Sequence, residues 1–145
     1  MRCDEVMRRD VVTLPPDASV LAAAERMRDA DVGFLPICDS DGVLVGVLTD
    51  RDIVVRACAP GLDLATTAVA RVMTTVLATC RPRSSLSVAE RAMRKSRKAR
   101  LPVLDPKGHL VGVLSLSDVV QYETARRTGR IVFDLSQRKY DPRSA

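Results

Sequence analysis

Two stretches of the chain decide its fold: PICDSDGVLVGVLTDRDIV at residues 36–54 and PVLDPKGHLVGVLSLSDVV at residues 102–120. Superposed without a gap, they are identical at ten of nineteen positions. The match continues upstream at the same spacing, where Met7 corresponds to Met73. A duplication of this length predicts two similar lobes that bury a shared apolar face.

Each repeat carries the same succession of secondary-structure signals. A short β segment precedes a helix, which begins near Asp17 or Ser19 in the first repeat and near Ser84 or Ser85 in the second. Two further strands flank a turn and a last helix follows, so each repeat is predicted to fold as β-α-β-β-α. The predicted strands are Asp10–Leu14, Phe34–Cys38 and Val43–Leu48 in the first repeat, and Val76–Cys80, Leu101–Leu104 and His109–Leu114 in the second.

The composition indicates one compact core rather than two large domains. The chain has 145 residues, of which 46% are hydrophobic and only 3% aromatic, so aliphatic side chains must build that core. The apolar stretches are short and interrupted by charges, and the N-terminal residues lack the apolar stretch of a signal peptide. We therefore expect a cytoplasmic protein that makes no contact with a membrane.

Charge is distributed unevenly along the chain. Residues 1–72 carry 8 Lys or Arg and 12 Asp or Glu, whereas residues 73–145 carry 15 and 6. This asymmetry fits an anionic ligand, head-to-tail association, or simply solvated helix faces. The densest basic run, from Arg91 to Arg100, contains no aromatic residue, which argues against a nucleic-acid interface there.

Residues that could support metal binding or catalysis are few. The four cysteines are widely spaced and His109 is the sole histidine, so no metal site is predicted and buried free thiols are favoured. The sequence contains no Ser/His/Asp set, no phosphate-binding P-loop and no dinucleotide-binding glycine motif. We expect no catalytic residues, no enzymatic activity and no required cofactor.

The junction between the last strand and the last helix of each repeat is the candidate site. Thr49 is followed three residues later by Asp52, and Ser115 by Asp118. A strand that runs into a helix can direct backbone N–H groups at a phosphate, while a carboxylate one turn along accepts hydrogen bonds from a sugar diol. The same spacing is also that of an N-terminal capping box, which stabilises a helix and binds nothing. Both interpretations remain open from the spacing alone.

These segments, with the Leu-Pro pairs at Pro36 and Pro102, make the chain resemble a tandem pair of cystathionine-β-synthase (CBS) repeats, also called a Bateman module. The resemblance covers about residues 3–125 and is closest to the free-standing bacterial members of the family. It implies an α+β fold of two β-α-β-β-α lobes, packed through their small sheets with pseudo-two-fold symmetry. The implied division is 1–60 for repeat 1, 61–128 for repeat 2 and 129–145 for a C-terminal tail.

The same resemblance implies a function and a set of binding residues. It predicts a regulatory module that holds AMP, ADP or ATP, or alternatively S-adenosylmethionine, in the cleft between the lobes, forms a homodimer and signals to an unidentified protein partner. The site around Ser115 and Asp118 is expected to use Val11, Val12, Val32, Gly33, Phe34 and Pro36. The site around Thr49 and Asp52 is expected to use Leu77, Ala78, Lys98, Ala99 and Pro102, with Arg100 as a phosphate-contacting residue.

Two other functions stay open. The chain could be a structural homodimer or adaptor whose junctions are helix caps without a ligand. It could also bind nucleic acid through its basic second half. The two junctions are not equivalent, because Asp50 and Arg51 of the first repeat correspond to Leu116 and Ser117 of the second.

Overall fold

The computed structural model describes residues 1–137 of the chain. The helices are α1 (Cys3–Val6), α2 (Val20–Ala30), α3 (Asp50–Asp52), α4 (Leu86–Ser96), α5 (Leu116–Val120) and α6 (Ala125–Ser136). The strands are β1 (Phe34–Cys38), β2 (Leu44–Thr49), β3 (Arg100–Leu104) and β4 (Leu110–Ser115). A π-helical segment, Ile53–Cys58, continues α3, and a short 3-10 helix covers Val69–Arg71.

Each repeat contributes one antiparallel hairpin, and this confirms the predicted α+β class. The strands β1 and β2 pair so that Phe34 lies opposite Thr49, and β3 and β4 pair so that Arg100 lies opposite Ser115. The apolar runs of the second strands have three buried residues each, Gly46–Leu48 and 112–114. The register places the last residue of each hairpin directly before a helix.

The predicted first strand of each repeat is reduced to a single bridging residue. Leu14 forms a parallel bridge with Ile37, and Cys80 forms one with Val103. Pro15 directly follows Leu14, and Pro82 comes two residues after Cys80. Proline has no N–H to donate to a strand ladder, so the pairing does not extend beyond the single bridge.

The described residues fall into two compact units whose boundaries differ from the divisions expected at residues 60 and 128. One unit is continuous, from Val12 to Leu77, and contains β1 and β2. The other joins Met1–Val11 to the described chain from Ala78 onward, and contains β3 and β4. The segment that precedes each repeat in sequence therefore packs in the unit of the other repeat's hairpin.

The contact that holds each of these segments is the same in both units. The backbones of Arg8 and Val113 exchange hydrogen bonds of 2.9 Å and 2.9 Å, and those of Thr74 and Val47 exchange bonds of 2.9 Å and 3.0 Å. The methionine before each bridge lies over a strand glycine. A Cβ at Gly112 would come within 2.7 Å of the Met7 sulfur, so only glycine allows this approach.

Each unit has its own aliphatic core, as the low aromatic content requires. Buried residues of the continuous unit are Leu14, Val20, Ala23, Met27, Leu35, Ile37, Leu48, Ile53, Ala57, Val69 and Val72. Those of the other unit are Cys3, Met7, Cys80, Leu86, Ala89, Met93, Leu101, Val103, Leu114, Val119, Ile131 and Leu135. Among the described residues, no helix has both the length and the apolar character that crossing a bilayer requires.

Part of the expected tail is a well-packed helix. Helix α6 buries Ile131 and Leu135, which are one turn apart, in the core of its unit. The guanidinium of Arg94 on α4 lies 2.5 Å from the Asp134 carboxylate and fixes α6 from the polar side. Residues 129–136 are thus part of the folded unit, and residues 138–145 of the expected tail lie outside the described chain.

Candidate functional site

The first-repeat junction is a capping box closed by an internal ion pair. The Thr49 hydroxyl accepts a hydrogen bond from the Asp52 amide at 3.1 Å, and the Asp52 carboxylate accepts one from the Thr49 amide at 3.0 Å. Asp52 is fully buried, and its second carboxylate oxygen lies 3.8 Å from Nε of Arg56. Arg56 also donates to the carbonyls of Val72 and Met73 at 3.1 and 3.3 Å. The aspartate thus has a cation of its own unit within ion-pair distance.

The mouth of this junction is acidic. Asp50, the first residue of α3, is exposed, and its amide donates to the Gly33 carbonyl at 3.1 Å. A Cβ at Gly33 would lie 2.7 Å from the Asp50 carboxylate, so the backbone of residue 33 runs directly against this charge. A second carboxylate beside Asp52 disfavours an anionic ligand by like-charge repulsion.

The second-repeat junction forms the same cap with more hydroxyl groups. The Asp118 carboxylate accepts hydrogen bonds from the Ser115 amide at 2.9 Å and from the Ser115 hydroxyl at 2.5 Å. The Asp118 amide returns a bond to the Ser115 hydroxyl at 3.2 Å. The hydroxyl of Ser117 lies 2.7 Å from that of Ser115 and is exposed.

Cationic side chains surround this second junction. Nε of Arg8 lies 3.5 Å from the outer oxygen of Asp118, and 73% of the Arg8 side chain is exposed, against 10% of the Asp118 side chain. Arg100 is exposed and lies opposite Ser115 in the hairpin register. The Ala99 carbonyl accepts the Leu116 amide at 2.7 Å, which brings the chain next to Lys98 against the start of α5.

The expectation of free N–H groups at the junctions is wrong for the first and the third amide of each helix. The first amide of each helix, from Asp50 or Leu116, donates to the carbonyl of the residue just before the hairpin, Gly33 or Ala99. The third, from Asp52 or Asp118, donates to the capping hydroxyl. Phosphate recognition at these junctions therefore has to depend on side chains more than on the helix terminus.

Both repeats thus contain the same hairpin followed by the same capping box. Residues 3–57 and 69–124 each match the model of the CBS domain. The chain belongs to the CBS-domain family. It carries two CBS domains in tandem, and together the two matches cover most of its length.

Similar proteins include two from bacteria. The CBS domain-containing protein YhcV of Bacillus subtilis is 38% identical over 115 residues, which cover 79% of this chain and 80% of that protein. Hypoxic response protein 1 of Mycobacterium tuberculosis is 31% identical over 118 residues, which cover 81% of this chain and 82% of that protein.

Solved structures agree with the sequence relatives. The crystal structure of Hypoxic Response Protein I with two coordinated zinc ions has a TM-score of 0.78 and 30% identity, and covers 86% of this chain and all of that one (100%). The crystal structure of CBSX2 in complex with AMP has a TM-score of 0.73 and 26% identity, with 83% of this chain and 93% of that chain covered.

The two units of the CBS pair divide the expected site residues between them. The continuous unit holds Thr49, Asp52, Val12, Val32, Gly33, Phe34, Pro36 and Leu77. The other unit holds Ser115, Asp118, Val11, Ala78, Lys98, Ala99, Arg100 and Pro102. Within a unit, Gly33 and Phe34 adjoin Thr49, and Ala99 and Arg100 adjoin Ser115. Which of these residues share a bound ligand stays a prediction.

Two cationic residues beside the capping aspartates are not among the residues that the sequence predicts for the site. Arg8 and Arg56 provide the cations that meet Asp118 and Asp52. The repeat spacing offered a signal for both, since Arg8 corresponds to Thr74 and Arg56 to Tyr122. Each of these cations is thus present at one of the two equivalent positions, although the capping box is the same in both repeats.

The remaining polar groups give no second candidate. Nδ1 of His109 lies 2.9 Å from the Asp105 carboxylate, and this hydrogen bond holds the pKa of Asp105 below its usual range. His109 is thus partly covered rather than fully exposed, and it braces the β3–β4 turn. Across residues 1–137 no three His, Cys, Asp or Glu side chains are grouped as metal ligands.

Proposed function

We propose that this CBS pair is a regulatory module that binds one adenine nucleotide at the second-repeat junction. The observation that carries the proposal is the charge arrangement there: a mostly buried Asp118, anchored by Ser115, has an exposed arginine, Arg8, on its open side. CBSX2, a protein of the same fold and 26% identity, has been crystallised with AMP.

The groups at this junction match the parts of a nucleotide. The outer oxygen of Asp118 is an acceptor only, which suits the 2′ and 3′ hydroxyls of ribose. Arg8 and Arg100 are exposed cations that can reach a phosphate, and arginine binds phosphate through paired N–H groups. The exposed Ser117 hydroxyl adds a further donor beside the sugar. AMP, ADP and ATP all carry this combination, whereas S-adenosylmethionine lacks the phosphate.

The first-repeat junction is proposed to hold no nucleotide. Asp52 is fully buried and paired with Arg56, so a ribose could reach it only after that ion pair opens. The exposed Asp50 carboxylate would repel a phosphate at the same place. A stoichiometry of one nucleotide per chain follows.

Isothermal titration of the purified chain with AMP, ADP, ATP and S-adenosylmethionine tests this function. We expect saturable binding of at least one phosphate-bearing nucleotide, with one site per chain and weaker binding at higher salt. Thermal unfolding should shift upward with the same ligand, because a ligand that binds only the folded state stabilises it. Absence of both signals with every ligand would leave the adaptor as the better description.

A structural adaptor is the second candidate. Both capping boxes are made by the chain's own groups, which an adaptor would share with a sensor. An adaptor would form the same homodimer as a sensor, and sedimentation would give the same mass with and without nucleotide. If AMP changes the amount of a partner protein that the chain retains, the result supports the sensor. If AMP leaves that amount unchanged, the result supports the adaptor.

Three further features belong to the proposal. The module acts by changing the affinity of a protein partner rather than by catalysis. It forms a homodimer, as the family resemblance implies. It works in the cytoplasm, where adenine nucleotides are its natural ligands. A ligand moves such an equilibrium only by its differential affinity for two states.

A further inference from the structure

Two cysteines from distant parts of the sequence meet in the core of one unit. Cys3 is the first residue of α1 and is fully buried, and Cys80 is 6% exposed at its bridge with Val103. The Cys3 thiol donates to the Ser85 carbonyl at 3.9 Å, and each of the two thiols shifts the pKa of the other. Both side chains belong to the same buried cluster.

The backbone holds both cysteines in place from either side. The Cys3 amide donates to the Ser84 carbonyl at 2.8 Å, so the N-terminal segment is tied to the chain that follows Cys80. Cys80 donates to Pro102 at 3.1 Å and accepts from Leu104 at 3.0 Å. These backbone bonds hold both cysteines in the same buried cluster.

The continuous unit shows which side chains fill the equivalent positions by ordinary packing. At the repeat spacing Cys3 corresponds to Val69 and Cys80 to Leu14. Val69 and Leu14 are both buried in the core cluster of the continuous unit. An aliphatic pair therefore suffices for packing in the continuous unit. The unit that contains β3 and β4 has two thiols at the equivalent positions.

We propose that Cys3 and Cys80 are a reversible disulfide pair, which a peroxide or a low-molecular-weight disulfide closes. The chain leaves this unit after Val11 and returns at Ala78, so the bond would enclose the whole continuous unit in a covalent loop. It would also fasten the N-terminal segment that carries Arg8. Oxidation would thus fix the cation that faces Asp118, which links this proposal to the proposed nucleotide site without depending on it.

The chemistry with hydrogen peroxide balances in two steps. The Cys3 thiolate attacks one peroxide oxygen, the O–O bond breaks, and water leaves after protonation, so Cys3 becomes a sulfenic acid. The Cys80 sulfur then attacks the Cys3 sulfur, the S–O bond breaks, and a second water leaves as the disulfide forms. Two thiols are oxidised and one peroxide is reduced to two waters. The interaction between the two thiols lowers the pKa of Cys3, which favours its thiolate form.

Peptide mapping of the full chain without reductant tests the proposal directly. The reduced protein is treated with hydrogen peroxide or oxidised glutathione, alkylated and digested. We expect a linked peptide pair that contains residues 3 and 80, and its loss after dithiothreitol. Unmodified, alkylatable Cys3 and Cys80 after oxidation of the exposed Cys58 would overturn the proposal.

Matched variants separate the bond from packing. Cys3→Val and Cys80→Leu copy the other unit and should keep the fold, while Cys58→Ser removes the exposed thiol. Oxidised wild type and Cys58→Ser should unfold about 5 °C or more above their reduced forms, because the bond closes a long loop. The two core variants should show no such shift. An equal shift in all four proteins would contradict the assignment, and the wild-type peptide map decides the question even if a core variant misfolds.

Discussion

The two strand-to-helix junctions share one backbone design and differ in the side from which a cation reaches their aspartate. In the first repeat Arg56, four residues along the same helical segment, meets a fully buried Asp52. In the second repeat Arg8, from the N-terminal segment, meets Asp118 from the exposed side. One aspartate is thus a structural charge and the other keeps an oxygen near solvent, although both make the same capping bonds.

This difference teaches that the same capping box can stand in two different charge environments. The cap is present in both repeats, so its presence cannot identify a binding site. The surrounding charges differ between the repeats, and the proposed site rests on that difference. Variants that remove or exchange these charges test the comparison.

The largest expected effect is on stability at the first junction. Asp52→Ala leaves Arg56 mostly buried without its carboxylate, and we expect the free energy of unfolding to fall by about 3 kcal/mol. Asp118→Ala is the matched control and should cost about 1 kcal/mol, the value of a cap on a more exposed helix. Urea denaturation of both variants measures the difference. Equal losses would show that Asp52 is no more structural than Asp118.

The next effect is on nucleotide affinity at the second junction. Asp118→Ala removes the acceptor for the ribose hydroxyls, and we expect the dissociation constant for the best-binding nucleotide to rise about tenfold or more. Isothermal titration measures this change. A melting temperature that falls strongly while affinity is unchanged would make Asp118 a cap only.

A smaller effect is expected when Arg8 is replaced by its repeat counterpart. Arg8→Thr copies Thr74 and should weaken binding of a phosphate-bearing nucleotide about fivefold, since the pair is largely solvated. Binding of adenosine, which has no phosphate, should change little. The affinity ratio between AMP and adenosine is the measurement, and a ratio unchanged from wild type would remove Arg8 from phosphate recognition.

The smallest effect is expected when the first junction is given a cation of the second. Phe34→Arg gives the first junction the cation that Arg100 gives the second. Because Asp52 remains buried beside Arg56, we expect the stoichiometry to stay at one nucleotide per chain. A second site in the titration curve would show that the missing cation alone had kept the first junction empty.

The sequence predicts the hairpins and junctions well because local patterns encode them. The apolar run before Thr49 or Ser115 and the turn ahead of it define β2 and β4 almost to the residue. The caps at Thr49 and Ser115 follow from the same spacing and are confirmed.

What the sequence could not predict depends on contacts between distant residues. The sequence predicts a tail from residue 129, whereas α6 continues to Ser136 and buries Ile131 and Leu135 in the core of its unit. Arg8 contacts Asp118, 110 positions away, and no local pattern joins them. The pairing of Arg56 with Asp52 has helical spacing, yet only the burial of Asp52 shows its importance.

The division of the chain also has a consequence for the order of synthesis. Val12–Leu77 is continuous and can fold as soon as it leaves the ribosome. Met1–Val11 precedes that unit in the chain but packs against β4, which is translated about a hundred residues later. This segment is therefore expected to find its packing partners later than Val12–Leu77 does, and its Cys3 and Arg8 side chains to stay outside a folded unit until then.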